Sequence, residues 1–242
     1  MYKVCDIHAH IIPGVDDGAR DLNMSMDILR KAYEQGTRSI ICTSHSGYRM
    51  KEYYYNFNAL KNLAHKEHIE IKLYSGCEIY CDVDLISDII YGLNKNVIPT
   101  MNGTKYVLVE FDPHTSAEEI IYCLKNLHNN GYKTIIAHIE RYAVLYQKYE
   151  IVKLLKQIGC LFQVNAYSFK DTENIQSKIF ARTLLKMEYI TFIGSDTHRT
   201  DYRQYAITNG INYICQNCDA EYTKDICYRN AEKILNTKNE TV

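Results

Sequence analysis

The chain has 242 residues, of which 46% are hydrophobic and 24% charged, and its formal net charge is −1. This length suits one α/β domain with its own hydrophobic core, and we expect a single domain over residues 1–242. The charge balance argues against nucleic-acid binding, which usually requires a basic surface. The sequence has no apolar run of about eighteen residues and no signal-peptide pattern. It therefore predicts a cytoplasmic protein without membrane insertion and leaves the oligomeric state open.

The nine cysteines do not indicate a disulfide framework, because their number is odd and their spacing scattered. Cys5, Cys42 and Cys160 fall inside apolar strand-like runs, where a free thiol packs as a small hydrophobic side chain. Cys215 and Cys218 form a Cys-x-x-Cys pair without a second pair at zinc-site spacing, which favours a structural or incidental role. No cysteine is followed by Arg six positions later, so the loop of cysteine-dependent phosphatases is absent.

The first predicted strand, residues 3–9, leads into a His-x-His motif made of His8 and His10. Side chains alternate along a strand, so both imidazoles are expected on one face together with Asp6. The opposite face, which we expect helices to cover, would carry Cys5, Ile7 and Ala9. Two imidazoles on one face can bind a metal ion, but a hydrogen-bonded structural pair is an equal alternative for this motif alone.

Short β-rich runs alternate with amphipathic helical stretches along the chain. Strands are expected over residues 3–9, 38–43, 70–76, 105–111, 133–138, 160–165 and 190–195. Helices are expected over 22–35, 54–67, 116–130, 147–158 and 173–187, with a shorter one over 82–92 and closing helices over 203–216 and 219–236. Helix ends are indicated by Gly36, Gly131 and Gly159, and a capping box by Ser116 and Glu119. This alternation predicts parallel βα units, either closed as a barrel or open as a doubly wound sheet.

Imidazoles and carboxylates follow nearly every predicted strand at its carboxyl end. In a (βα) barrel these ends meet at the active site. In strand order, the residues are His8 and His10, His45, Glu78, Glu110, His138, and finally Asp196 and His198, while the sixth strand offers only Gln163 and Asn165. A single such residue is more often a loop cap, but their joint occurrence predicts a metal cluster. Eight ligands without a thiolate suit two or three ions of Mn, Fe or Zn.

Three further residues are candidates for catalysis. Three carboxylates do not neutralise two or three dications, so the site is expected to attract a dianion such as a phosphate monoester. Arg141 could bind the phosphate through two hydrogen bonds, and Arg203 is a second candidate, with an ion pair to a nearby acid as the alternative for both. Asp17, beside Asp16 in the loop after the first strand, could support a ligand or help the leaving group take a proton.

These motifs together resemble the PHP (polymerase and histidinol phosphatase) superfamily. Within it they are most similar to the protein-tyrosine phosphatases of Gram-positive capsule and exopolysaccharide loci, the CpsB/YwqE type. The resembling segments are residues 6–10, 15–18, 43–45, 76–80, 98–100, 109–111, 137–142, 163–165 and 195–198. The resemblance implies a distorted (βα)7 TIM-like barrel, the PHP fold, with a trinuclear site that prefers Mn²⁺. It also implies a partner, the phosphotyrosine tail of a bacterial tyrosine kinase that regulates polysaccharide synthesis.

The sequence therefore supports three hypotheses. In the first, water activated by the metal ions attacks phosphotyrosine while Arg141 stabilises the phosphoryl oxygens. The second is a small-molecule phosphomonoesterase of the histidinol-phosphatase type, which would use the same ligands. The third is a non-enzymatic metal-binding protein, against which the complete ligand set argues. The loop at residues 46–49 is less basic than is usual in the resembling family, so substrate preference stays open.

Overall fold

A computed structural model describes residues 3–47, 49–170 and 174–237. Its strands are β1 (Val4–Ala9), β2 (Thr37–Cys42), β3 (Lys72–Ser75), β4 (Glu78–Tyr80), β5 (Tyr106–Glu110), β6 (Lys133–Ile136), β7 (Leu161–Asn165) and β8 (Phe192–Gly194). Its α-helices are α1 (Leu22–Glu34), α2 (Met50–Lys66), α3 (Ile86–Asn94), α4 (Ala117–Asn129), α5 (Tyr149–Gln157), α6 (Ile175–Lys186), α7 (Ile207–Asn217), α8 (Ala220–Lys224) and α9 (Asn230–Asn236). Tyr48 of the loop at 46–49 and Glu173 of the predicted sixth helix lie outside the described residues.

The strands are parallel and follow chain order around a distorted barrel. One sheet runs β1-β2-β3 and the other β4-β5-β6-β7-β8. Only Gly76 and Cys77 separate β3 from β4, so these two segments form one interrupted strand. The barrel closes where Ala9 bridges Thr197 and where the Asp196 N–H donates to the His8 carbonyl at 2.8 Å. The seven strand positions confirm the barrel prediction over the open sheet.

Two apolar clusters explain how the barrel is held. The larger one lies between the strands and the surrounding helices. The smaller one fills the barrel interior with side chains from β1, β2, β5, β6 and β8, among them Cys5, Ile7 and Leu108. Ala231 and Ile234 of α9 join this interior cluster and close the amino ends of the strands. Polar side chains are therefore left to the carboxyl ends, where the predicted ligands follow.

The predicted faces of β1 are wrong in one respect. Cys5 and Ile7 lie in the barrel interior, not under the helices, and only Ala9 lies in the outer cluster. The cause is a bulge: Asp6 pairs with Ile40 and Ala9 with Cys42, so three steps along β1 match two along β2. The extra residue lets Ile7 and His8 both face inward, which simple alternation does not allow.

Asp6, expected beside the imidazoles, instead faces away from them. Its Oδ1 accepts hydrogen bonds from the backbone N–H groups of His8 and Ser195, at 3.1 and 3.0 Å. Burial raises the pKa of this carboxyl, although the two N–H donors lower it in part. Asp6 therefore fastens β1 to the segment after β8 and takes no part in the cluster.

The predicted signals for helix ends are present, whereas the predicted length of the last helix is not kept. The Ser116–Glu119 capping box is present, and Gly36, Gly131 and Gly159 all have positive φ angles, of 89°, 82° and 97°. The last predicted helix is interrupted by a π-helical turn over residues 225–229, between α8 and α9. Within the described residues, no helix is both long and apolar enough to cross a bilayer.

The predicted helix over residues 203–216 begins later, at Ile207. The segment before it folds back on itself, since the His198 N–H donates to the Arg203 carbonyl at 3.1 Å. Arg203 has a φ of 48°, in the left-handed region that side chains other than Gly disfavour. This turn directs Arg203 toward the end of β8 and thus toward the predicted ligands.

Candidate metal centre

Glu78 lies at the centre of a cluster of histidines at the carboxyl ends of the strands. Its Oε2 is 3.1 Å from the Nε2 atoms of both His8 and His10 and 3.3 Å from Nδ1 of His45. Its Oε1 is 2.9 Å from Nε2 of His138. Four imidazoles contributed by three different parts of the barrel therefore meet around one buried carboxylate.

Asp196 and His198 form the other side of this cluster. Asp196 Oδ1 is 3.6 Å from His8 Nε2 and 3.6 Å from His198 Nδ1. The His198 ring stacks on that of His10, with 4.0 Å between centroids. Asp17 approaches from the loop after β1, with Oδ1 3.6 Å from His198 Nε2. The Asp-x-His pair after β8 and the Asp17 loop thus border the same space.

The side chains form three groups. Within each group, one ligand atom from every residue lies within 4.8 Å of the others, which is close enough to share an ion. Glu110 belongs to one of them, since its Oε1 is 3.0 Å from His45 Nδ1. The groups are His10, Asp17, His45 and His198; His8, His10 and Glu78; and His45, Glu78 and Glu110. These groups contain six of the eight predicted ligands, and His138 and Asp196 adjoin them through Glu78 and His8. Asp17, predicted as a catalytic candidate, also lies among these atoms.

Hydrogen bonds behind two histidines fix the positions of their protons. Gln163 Oε1 accepts from the backbone N–H of His138 at 2.8 Å and lies 3.0 Å from His8 Nδ1, so that nitrogen donates. His10 Nδ1 donates in the same way to Asp16 Oδ2 at 2.9 Å. The Nε2 lone pairs of both rings then face each other at 3.1 Å. In the neutral rings such converging lone pairs repel one another, and a divalent metal ion bound by both would remove that repulsion.

The charge states of the buried acids agree with a cation site. Burial raises the pKa of Glu78, but the charge of His8 and hydrogen bonds from neighbouring histidines lower it further, to well below its usual range. Asp196 behaves similarly: burial opposes ionisation, while His8 and His138 lower its pKa. Burial lowers the pKa of His10, yet its bonds to Asp16 and Glu78 raise it well above normal. Positive charge is thus favoured at this position, and a metal ion supplies it without protonating an imidazole.

Asp16 supports two of these histidines from the loop after β1. Besides the bond to His10, its Oδ2 accepts the backbone N–H of His45 at 3.0 Å, and its Oδ1 accepts that of Gly18 at 3.0 Å. Burial raises its pKa, but the hydrogen bond to His10, the charge of that ring and the two backbone N–H donors together outweigh burial, and the pKa falls to about 2. Gly18 is required here because a Cβ would lie 2.1 Å from the His10 carbonyl oxygen. Asp16 orients His10 and His45, whereas Asp17 faces the cluster.

Arg141 and Arg203 both reach the cluster. The Nη1 atom of each is 3.5 Å from Asp196 Oδ2, so both form the ion pair that was the predicted alternative to phosphate binding. Both also line a cavity of about 270 Å³ that opens onto the ligand side chains. Their side chains are 33% and 27% exposed, which leaves N–H groups available to a ligand in that cavity. These two ion pairs to Asp196 hold both guanidinium groups at the wall of the cavity.

Gln163 and Asn165 were given no role by the sequence, yet they support the cluster. Gln163 Nε2 donates to Asn165 Oδ1 at 2.9 Å, and Asn165 Nδ2 donates to Asp196 Oδ2 at 2.9 Å. This chain fixes the Gln163 amide so that its oxygen faces His8. The sequence does contain a signal for this role: two amides stand at alternate positions of an otherwise apolar strand. Buried amides require specific hydrogen-bond partners, so such a pair indicates a polar network.

Replacing Gln163 with Leu is expected to weaken metal binding by about 10- to 100-fold. The substitution leaves the His8 Nδ1–H and the His138 backbone N–H without an acceptor, and a buried unpaired donor costs about 1–3 kcal/mol. Titration calorimetry with Mn²⁺ and urea unfolding measure the two effects. Gln157→Leu, at an exposed position that ends α5, is the matched control. Unchanged Mn²⁺ affinity in Gln163→Leu would contradict the role given to this amide.

Comparisons with known proteins place this geometry among relatives. The family model described as "Capsular polysaccharide synthesis, CpsB/CapC" matches residues 4–236. The chain is 35% identical to tyrosine-protein phosphatase CpsB of Streptococcus agalactiae, with 95% of this chain and 97% of that protein covered. It is 30% identical to tyrosine-protein phosphatase YwqE of Bacillus subtilis, with 98% and 92% covered.

A solved structure also matches over nearly the whole chain. It comes from work on YwqE from Bacillus subtilis and CpsB from Streptococcus pneumoniae, described as unique metal-dependent tyrosine phosphatases. The TM-score is 0.83 at 28% identity, and the match covers 96% of this chain and 94% of that one. The solved structure and the relatives thus agree with a phosphatase whose cluster binds metal ions.

Proposed function

Because the chain belongs to the CpsB/CapC family, we propose that it is a metal-dependent phosphotyrosine-protein phosphatase. The observation that carries this proposal is the joint placement of the imidazole and carboxylate cluster and two arginines around one cavity. Neither half would suffice, since a metal cluster alone is common to many hydrolases and an arginine pair alone is a common anion site. Together they provide a place for a phosphate monoester beside a cation centre.

The proposed site consists of metal ligands and of separate residues that contact the substrate. The proposed ligands are His8, His10, His45, Glu78, Glu110, His138, Asp196 and His198. When bound, divalent ions at these groups supply Lewis-acid stabilisation of phosphoryl oxygens and lower the pKa of water. We propose that the site binds two or three divalent ions and prefers Mn²⁺ to Fe or Zn. The support for this proposal is a donor set of nitrogen and oxygen atoms without thiolate.

The chain's own residues have separate tasks. Arg141 and Arg203, already side by side at Asp196, are placed to bind phosphoryl oxygens with charge-assisted hydrogen bonds. Asp17 has the most exposed side chain among the cluster acids, at 59%, and stands at the mouth where a leaving phenolate would take a proton. No cysteine is among the described residues that line the cavity, so the geometry supports direct hydrolysis without a thiol nucleophile.

The cavity also has an apolar side that suits an aromatic leaving group. Tyr80, Phe111 and Pro113 are among the residues that line it. An aryl ring can pack against such a wall while its phosphate reaches the cluster. This arrangement supports phosphotyrosine as the substrate, although the imidazole of histidinol phosphate would fit the same wall.

The proposed partner is the phosphotyrosine tail of a bacterial tyrosine kinase that regulates capsular or exopolysaccharide synthesis. Its support is the family's stated part in capsular polysaccharide synthesis and a cavity open to a peptide segment. We propose that the protein acts in the cytoplasm as a single domain. All nine cysteines are free thiols, as is usual in a reducing compartment, and the proposed ligands span residues 8–198 of one barrel.

The substrate class is tested by comparing two phosphate esters with Mn²⁺-loaded protein. We expect kcat/KM for a phosphotyrosyl peptide to exceed that for histidinol phosphate by at least about tenfold, since a peptide adds contacts outside the cavity. Release of inorganic phosphate is the measurement, and metal analysis of the same sample gives the number of ions.

Each other outcome has a clear meaning. A preference for histidinol phosphate would identify a small-molecule phosphomonoesterase. Absence of turnover for both esters and for p-nitrophenyl phosphate, in a sample shown to contain metal, would favour a non-enzymatic metal-binding protein. Apo protein prepared with a chelator is the control, because it retains the arginines but lacks the ions.

A further inference from the structure

An apolar groove of about 320 Å³ lies beside the catalytic cavity. Its walls include Met50, Tyr80, Leu85, Ile89, Val97 and Ile98, from the start of α2, the end of β4 and the region around α3. Tyr80 lines both the groove and the cavity, so the two adjoin at this residue. In the sheet, Tyr80 pairs in register with Glu110, one of the proposed ligands. The groove therefore begins at the rim of the metal centre.

Several apolar side chains that line the groove are exposed. Tyr80 is 39% exposed, Leu85 43% and Val97 60%. Single exposed apolar residues are ordinary, but several in one concave site indicate a binding surface. Asp88 is the charged residue among those that line it.

The floor of the groove is preformed. The N–H groups of Val97 and Ile98 both donate to the Gly92 carbonyl, at 2.9 and 3.2 Å. Gly92 lets Ile98 pack directly on α3, because a Cβ there would lie 2.9 Å from Ile98 Cδ1. A ligand would thus find the groove already shaped, which reduces the entropy lost on binding.

We propose that this groove binds an apolar side chain that neighbours the phosphotyrosine in the substrate. The proposal rests on the phosphatase function proposed above and extends it to substrate selection. A peptide whose phosphotyrosine occupies the cavity must continue past its rim, and Tyr80 leads from that rim into the groove. A second copy of this chain in the groove would cover the same wall and obstruct the cavity. An acidic side chain would be repelled by Asp88 and would lose its hydration on entering the groove, so the groove selects against it.

The test uses short peptides with a central phosphotyrosine in an alanine and serine background. One leucine or one aspartate is placed in turn at each of the three positions on either side. We expect leucine to give at least about tenfold higher kcat/KM than aspartate at one or more of these positions. In Leu85→Glu this leucine-to-aspartate ratio should fall close to one. Leu154→Glu changes a leucine of α5 that is 38% exposed, and should keep the wild-type ratio.

The outcomes separate this proposal from the phosphatase function. Turnover of p-nitrophenyl phosphate by wild-type protein reports the metal centre alone; if it is absent, the proposed function fails. If it is present but every peptide pair gives equal rates, the groove has no part in selection and this proposal is overturned. It is also overturned if Leu85→Glu keeps the wild-type ratio, or if light scattering shows that it dissociates an oligomer without changing that ratio.

Discussion

Replacing Glu78 with Gln is expected to lower kcat/KM by at least about 10³-fold and to reduce the number of bound ions. Glu78 is 1% exposed, and its two oxygens face four imidazoles at 2.9–3.3 Å. Gln preserves the shape but removes the negative charge and puts N–H donors where oxygen lone pairs should face the ions. The effect should exceed that of losing any one imidazole, because Glu78 belongs to two of the three ligand groups and, unlike the histidines they share, brings a negative charge to both.

Activity and metal content must be measured together on the same preparation. Wild-type protein stripped with a chelator and then reloaded with Mn²⁺ gives the reference range for both quantities. Glu118→Gln, at an exposed position in the first turn of α4, is the matched control and should behave as wild type. Near-normal activity with a full complement of ions in Glu78→Gln would remove Glu78 from the centre of the site.

The barrel could be predicted because its signals are local and repeated. Apolar runs, glycines at helix ends and one capping box each depend on a few neighbouring residues. The clustering of the candidate ligands could be predicted because parallel strands bring all their carboxyl ends to one end of the barrel, whatever the exact register. His45 and His138 therefore meet Glu78 although each prediction was made separately.

The faces of β1 could not be predicted, because a bulge depends on the partner strand. Nothing in the local sequence of residues 4–9 indicates that three of its steps match two in β2. Alternation placed Asp6 with the imidazoles, whereas the bulge turns His8 inward beside Ile7. The error left the ligand assignment unaffected, since His8 and His10 reach the cluster in either case.

Backbone conformation around the site was also beyond sequence reasoning. His138, Asp196 and Arg203 have φ angles of 31°, 51° and 48°, which residues other than Gly adopt rarely. Such conformations cost free energy locally and persist where the surrounding contacts impose them. The bond from the His138 N–H to Gln163 is a long-range contact of this kind, so only the assembled barrel reveals it.

Replacing Arg141 with Ala is expected to lower kcat/KM by about 10²- to 10³-fold while metal content stays at the wild-type level. Arg141 lines the cavity and contacts Asp196 at 3.5 Å, but it donates hydrogen bonds and cannot bind a cation. Its loss therefore affects the phosphoryl group and not the ions, which is the reverse of the pattern expected for Glu78→Gln. Arg141→Lys should recover only part of the activity, because an ammonium group lacks the two-point geometry of a guanidinium.

Steady-state kinetics with a phosphotyrosyl peptide and metal analysis distinguish this role from a structural one. Arg141→Ala leaves Asp196 paired with Arg203, so its ionised state and the fold should be retained. Arg30→Lys changes an arginine of α1 that pairs with Asp27 and Glu67, far from the cavity lining, and should leave the kinetics unchanged. If Arg141→Ala lost metal in proportion to activity, the guanidinium would serve mainly to hold Asp196. If it lost neither, phosphate binding would depend on Arg203 and the ions.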